Sequence, residues 1–267
     1  MDYYRSLPLT RWADARHRRW EAEALRLADV TTTVSHHWAE DLSKLGGHNL
    51  HVITNGYDTD DYGGLLPYQN GKFTLTHLGL LGSDRQPLAL LRAIKELNEE
   101  LPDFRQQFVL QLVGEVSPSF IAAAQAAGLT DAQLVLTGQL PRNEALARAA
   151  GSSINVLLLN QQPNAAGRIP YKCFEYLGLG RPVLAYGPPA SDVAAILNTT
   201  SLGTYLDYNA VAETKTQLSS WFTDYQAGLL GSSGEGRSVF KAYDFHTLTG
   251  RLAGLLDGLV DEGLPRR

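Results

Sequence analysis

Residues 160–187, NQQPNAAGRIPYKCFEYLGLGRPVLAYG, decide how the rest of the chain is read. They take over from an apolar run, Ile154-Asn155-Val156-Leu157-Leu158-Leu159, which is short and β-branched enough for a strand buried in a parallel sheet. Residues 161–168 are rich in Gly, Asn and Pro and too polar for core, so they form a loop. A helix then starts near Ile169 and Pro170, because proline fits a first helical turn, where its missing N–H costs nothing. It ends at Gly178 to Gly180, and Pro182 leads into a second apolar strand, Val183-Leu184-Ala185-Tyr186. The unit is strand, loop, helix, strand, and its loop falls where a parallel sheet places ligands, outside the carboxyl ends of the strands. Glu175 lies inside the helix between Phe174 and Tyr176, where a purely structural helix would carry an apolar or neutral residue at lower cost.

Upstream of this unit the pattern repeats. Phe73-Thr74-Leu75-Thr76-His77-Leu78 reads as a strand, 79–86 as a loop holding Gly79 and Gly82, and 87–100 as a helix with Leu90, Leu91, Ile94 and Leu97 on one face. A strand over 108–113 ends at Gly114 and is followed by a helix to Ala127. Another strand, Leu134-Val135-Leu136-Thr137, ends at Gly138, and Pro141 opens a helix to Ala150. Strands separated by helical segments specify an α/β chain with a doubly wound parallel sheet. Glycines at strand ends suit close backbone approach to a ligand, and they equally suit a tight βα turn. Downstream, Gly187-Pro188-Pro189-Ala190-Ser191-Asp192 is a rigid loop with Ser191 or Asp192 as a helix cap. A strand over 203–208 and a helix over 210–222 follow. Gly231-Ser232-Ser233-Gly234-Glu235-Gly236 reads as a flexible loop; it follows a helix and lacks the lysine of a phosphate loop.

Composition narrows the function. The chain has 267 residues, enough for one large core or two modest ones. Hydrophobic residues at 44% and charged residues at 19% place it among folded rather than disordered chains. A net charge of −5 argues against a nucleic-acid surface, which needs a basic excess. The single cysteine, Cys173, excludes an internal disulfide framework and suits a reducing compartment; no His or Asn can be placed beside it, so it reads as a small buried hydrophobe. No apolar run approaches the roughly 20 residues of a membrane-spanning helix.

The first fifty residues have a different texture. A charged helix carries Leu9, Trp12, Ala13, Trp20, Ala24 and Leu27 at spacings of three and four, a strand covers 29–35, and a helix over 36–45 ends at Gly46-Gly47. Val52-Ile53-Thr54-Asn55-Gly56-Tyr57-Asp58 comes next and closes with a turn. Asp58-Thr59-Asp60 and the adjacent Asp61 have the look of a divalent-cation motif, but they follow a turn and precede Gly63-Gly64, so a solvated acidic loop is the preferred reading. His36-His37 lacks a third ligand at metal spacing and reads as a helix start.

The order Gly-Arg-Ile-Pro-x-Lys-x-Phe-Glu-Tyr-Leu-x-x-Gly-Arg-Pro-Val, from Gly167 to Val183, resembles the donor-binding segment of the retaining GT-B glycosyltransferases. That resemblance implies that Glu175 receives the ribose hydroxyls of a nucleotide sugar, while Arg168, Ile169 and Pro170 bring backbone to the diphosphate and sugar; a carboxylate accepts two hydrogen bonds from a vicinal diol, and a helix N-terminus stabilises phosphate charge. The family often has a second glutamate eight residues earlier, where this chain has Gly167. Gly79-Leu80-Leu81-Gly82-Ser83-Asp84-Arg85 is similar to the family's diphosphate loop, with Leu80 in place of its first basic residue and Arg85 in place of its second. Arg85 and Lys172 are therefore the expected catalytic cations, with Gly79, Gly82, Gly114, Gly138 and Leu140 around the nucleotide; in the family the loop holding Gly138 and Leu140 grips the base. Asp29-Val30 followed by Val34-Ser35, then Val52-Ile53-Thr54-Asn55-Gly56, resembles the family's crossing from acceptor to donor domain.

The resemblance implies a division into 1–50, the last helix-strand-helix of an acceptor domain; 51–71, a linker; 72–244, the nucleotide-sugar domain; and 245–267, a helix crossing back, whose Leu248, Leu252, Leu255, Leu256 and Leu259 then lack part of their partner. A complete enzyme of this kind carries on the order of another 150 residues before Met1, so the acceptor domain is expected to be missing or on another chain, and the chain alone to transfer nothing. The implied reaction moves a sugar from a nucleoside diphosphate donor to a hydroxyl acceptor, a sugar or a lipid-linked glycan, with retention and with neither metal nor other cofactor. The expected location is the cytoplasm, with peripheral contact at the inner face of the membrane where the acceptor is lipid-linked; no nucleic-acid partner is expected. Two alternatives stand beside it. One is a non-catalytic sugar-nucleotide-binding or assembly module, toward which Leu80 and Gly167 point; the other is a GT-B nucleotide-sugar epimerase, which needs a further acid/base pair.

Overall fold

The computed structural model describes residues 10–162, 164–230 and 240–261. Along them run α1 (Arg11–Leu27), β1 (Thr31–Thr33), α2 (His36–Lys44), β2 (Leu50–Val52), a 3-10 turn (Thr59–Tyr62), β3 (Phe73–Leu78), α3 (Leu88–Glu100), α4 (Pro102–Gln107), β4 (Phe108–Val113), α5 (Pro118–Ala126), β5 (Leu134–Gly138), α6 (Arg142–Ala150), β6 (Ile154–Leu158), α7 (Tyr171–Leu179), β7 (Val183–Tyr186), α8 (Asp192–Thr200), β8 (Gly203–Leu206), α9 (Val211–Gln226) and α10 (Phe245–Asp261).

The expected doubly wound parallel sheet is present. Six strands lie in the order β5-β4-β3-β6-β7-β8, every neighbouring pair parallel. Crossover helices cover both faces, so β3, β4, β6 and β7 are buried at every position. Alternation within a strand assigns its side chains to two cores. Ile154, Val156 and Leu158 of β6 and Leu184 and Tyr186 of β7 join Phe73, Ile94, Phe104 and Phe222 on one face. Leu157, Val183 and Ala185 join Phe174, Leu177, Val193 and Leu197 on the other. Winding reverses between β3 and β6, and the crevice at their carboxyl ends is where such a sheet receives ligands. β1 and β2 form a separate two-stranded parallel sheet, with Thr31 opposite Leu50 and Thr33 opposite Val52.

Some expectations need correction. β1 is confined to Thr31–Thr33 within the anticipated 29–35, and β2, Leu50–Val52, was not anticipated as a strand. α4 was not legible in the pattern: Pro102 starts it and Phe104 drops fully into the core, which a six-residue helix achieves with a single anchor. α9 runs past Phe222 to Gln226. The periodicity of α1 is helical, yet only Leu25 is buried, while Trp12 is 70% and Trp20 50% exposed. On α10, Leu248 is buried but Leu252 and Leu256 are exposed. Leu9 and the loop 231–236 lie outside the described residues. Among the described residues no helix is long and apolar enough to cross a membrane.

Candidate functional site

α7 is seated on the reversal point by its own side chains. Pro170 occupies its N-cap in an extended conformation, and Gly180 closes its C-terminus at φ +65° with its N–H on the carbonyls of Tyr176 and Leu177. The Tyr176 hydroxyl accepts the Leu78 N–H at 3.1 Å and lies 3.4 Å from the Val156 carbonyl, so one buried phenol ties the helix to the ends of β3 and β6. Lys172, one turn earlier, donates to the Leu78 carbonyl at 2.5 Å. Gly79 follows at φ +93°, and a Cβ there would come within 3.0 Å of the Lys172 ammonium. The glycine thus serves both the left-handed turn and the passage of the lysine.

The strand-end glycines form a stepped ladder. Gly79 N–H donates to the Val113 carbonyl at 2.6 Å, and Gly114 N–H donates to the Gly138 carbonyl at 2.8 Å. A Cβ on Gly114, at φ +127°, would lie 2.7 Å from the Gly79 carbonyl oxygen, so packing of one loop on the next accounts for that glycine without any ligand. At Gly138, φ +68° meets open space, and at Gly82 a Cβ would strike the Asp84 carboxylate. That carboxylate chelates Arg85 through Nε at 3.1 Å and Nη2 at 2.9 Å, so Arg85 is already paired.

The electrostatics converge at the same place. The Glu175 side chain is only 11% exposed; burial raises its pKa, and the charges of Arg142 and then Lys172 pull it back down. Burial lowers Lys172 to about 8, helped by the Arg85 charge and opposed by Glu175. His77, fully buried beneath, is pushed down to about 3 by burial first and then by the charges of Lys172 and Arg85; its Nδ1 lies 2.9 Å from the Val156 carbonyl, and its Nε2 faces Leu80 without a well-formed hydrogen bond. It stays neutral at ordinary pH. Burial pushes the Cys173 thiol up to about 12, which suits a core residue and not a nucleophile.

The structure therefore brings Gly79, Arg85, Lys172 and Glu175 together. Gly114 and Gly138 lie one and two strands away on the same edge. Leu140 and Ile169 are half-buried and pack against the core that includes Phe174 of α7. Arg168 is exposed, its N–H on the Ala165 carbonyl. The arrangement places the start of α7, which has no side-chain cap, and the cations Lys172 and Arg85 near a shielded carboxylate, so that it can present donors to an anion and an acceptor to hydroxyls. Three participants escaped the sequence reading. Arg142 Nη2 sits 2.8 Å from Asp61 Oδ2 and 3.3 Å from Glu175 Oε1. Tyr62 stacks over Gly178 with its hydroxyl 3.5 Å from the Glu175 carbonyl. Trp38 covers Gly167, where a Cβ would lie 2.4 Å from its Cδ1. None sits in a motif, and all three come from elements remote in sequence from α7. The acidic run is used internally: Asp58 caps the turn through the Asp60 N–H, Thr59 donates to Asp244, and Asp61 pairs with Arg142. His36 and His37 open α2 behind the N-cap Ser35.

A sequence profile of Glycosyltransferase Family 4 matches residues 1–61. No curated protein sequence matches the chain. Among solved structures, HepE of Anabaena in complex with UDP superposes with a TM-score of 0.71 at 16% identity over 91% of this chain and 68% of its own. A glycosyltransferase from Rickettsia africae gives 0.70 at 14% identity over 92% and 67%. Sucrose-phosphate synthase from Thermosynechococcus elongatus gives 0.69 at 14% identity over 97% and 65%. At these identities the likeness is one of fold.

Proposed function

We propose that this chain is the donor-binding part of a GT-B glycosyltransferase, taking a nucleoside diphosphate sugar at the crevice between β3 and β6 and passing the sugar, with retention and without a metal, to a hydroxyl acceptor. The observation that carries this reading is the shielded Glu175 carboxylate, set on α7 beside the Lys172 ammonium, which itself lies within the field of Arg85. A ribose diol and a diphosphate are what that combination of acceptor and donors recognises. The chemical step asks for stabilisation of charge on the departing diphosphate, which α7 N–H groups, Lys172 and Arg85 would supply once Arg85 leaves or shares Asp84. The profile over residues 1–61 and the UDP bound by HepE agree with it. In this reading residues 1–50 end the acceptor domain and 72–244 form the donor domain.

A second reading, a non-catalytic nucleotide-sugar module, draws on one observation: both cations are already engaged, Arg85 by Asp84 and Lys172 by the Leu78 carbonyl. Calorimetric titration with UDP, GDP and ADP, beside Glu175→Ala, tests the site. Binding of one diphosphate is expected, weakened by roughly tenfold or more in the variant as two hydrogen bonds to a charged acceptor are lost. Equal affinity of wild type and variant would remove Glu175 from the site. Sugar transfer or donor hydrolysis in the presence of a hydroxyl acceptor separates enzyme from module.

A further inference from the structure

Arg142 opens α6 directly after Pro141, and its guanidinium reaches two carboxylates on two other elements. We propose that Arg142 is the positioning residue for the Glu175 carboxylate, anchored from its far side by Asp61, so that the 3-10 turn and the shielded carboxylate are joined through one guanidinium. The proposal rests on the donor-site reading of Glu175 and adds to it the group that aims the carboxylate.

The geometry separates anchor from follower. The turn carrying Asp61 is seated on α7 independently of the ion pair: the Tyr62 ring packs over Gly178, where a Cβ would come within 2.5 Å of it, and Asp58 caps the turn. Asp61 is thereby a fixed point, and the shorter of the two contacts, 2.8 Å, is the one made to it. The longer contact, 3.3 Å, engages Glu175 through Oε1, so the second carboxylate oxygen remains an acceptor for hydroxyls. A carboxylate this shielded has lost most of its hydration and needs a fixed partner to stay charged. The groups that face it are Arg142 from α6, Lys172 and Tyr176 from α7, and Asp61 and Tyr62 from the turn; Tyr171 faces Arg142. Of these Arg142 lowers the Glu175 pKa most, against the burial that raises it.

The test is a carbon-13 titration of the glutamate side-chain carboxyls in the full chain, with Glu175 assigned by the loss of its signal in Glu175→Gln. In Arg142→Gln the Glu175 midpoint moves upward, and Arg142→Lys restores most of the difference. Asp61→Asn discriminates further. Removal of a nearby negative charge by itself lowers the midpoint, whereas loss of the anchor raises it; the proposal expects the rise, and a fall overturns the part given to Asp61. Titration with UDP, GDP and ADP on the same variants expects the diphosphate that binds wild type to bind Arg142→Gln roughly three- to tenfold more weakly, and, on acidification, to lose binding already at a higher pH than wild type does, because the carboxylate is protonated sooner. An unchanged midpoint in Arg142→Gln overturns the proposal whatever the nucleotide does, and a raised midpoint with unchanged affinity overturns the positioning role. If wild type binds no diphosphate, the donor-site reading falls, and the carboxyl titration alone then decides whether Arg142 governs Glu175.

Discussion

Lys172 shows how a single side chain can be tuned by position. Its ammonium is shielded and lies in the field of Arg85, which lowers its pKa to about 8, while its hydrogen bond to Leu78 holds it over Gly79. In the free chain the charged form is therefore partly lost as pH rises through about 8. A bound diphosphate favours the charged form, so binding above that pH takes up a proton, and affinity declines as pH rises through the same range. Calorimetry in buffers of different ionisation enthalpy checks this; Lys172→Arg, whose charge does not titrate there, should bind without proton uptake. Binding with no proton uptake by the wild type would leave Lys172 as a structural donor to Leu78. The type and spacing of Lys172 and Glu175 were visible in the sequence. The pairing of Arg85 with its neighbour Asp84 could be named from the sequence as an alternative to a functional role but not decided there, because whether two neighbouring charges pair depends on the loop conformation.

At the scale of the element, α7 is legible at its ends and opaque on its faces. Pro170 and Gly180 punctuate it, since each has backbone requirements that act locally. The task of Tyr176 was not legible: its partner Leu78 is 98 residues away and is reached only after β3 and β6 have paired. Tyr176→Phe leaves the buried Leu78 N–H without its acceptor and is expected to cost about 1–3 kcal/mol, read as a lower urea midpoint with an unchanged slope. A loss well below that range would mean that the carbonyls at the ends of β3 and β6, and not the phenol, seat the helix. α1 makes the converse point. Its three-and-four spacing identified a helix correctly, but Trp12 and Trp20 stand exposed with the Arg16 guanidinium over both rings, because periodicity reports a face and not what covers it.

At the scale of the whole molecule the small sheet is fastened to the large one where Gly167 passes beneath Trp38. The His37 N–H donates to Asp192 at 3.2 Å, Asp192 N–H donates to the Ala166 carbonyl at 2.9 Å, and the indole occupies the space a side chain at 167 would need. Placing a glutamate at Gly167 must therefore displace the indole. Gly167→Glu is expected to destabilise the chain by about 1–3 kcal/mol, and the double variant with Trp38→Ala is expected to depart from additivity by at least about 0.5 kcal/mol in the stabilising direction. Additive losses in chemical denaturation would show that Trp38 does not hold that space.

Taken alone, the sequence determined the parallel doubly wound sheet, the helix that carries Lys172 and Glu175, and the edge on which Gly79, Gly114 and Gly138 lie. Those features follow from apolar periodicity and from proline and glycine, which act on their immediate neighbours. Only the tertiary structure decided that Gly114 is required by the Gly79 backbone, that Trp38 replaces a side chain at Gly167, and that Arg142 and Asp61 share the carboxylate of Glu175. Each of these depends on residues distant in the chain meeting within a few ångströms, which no local pattern encodes.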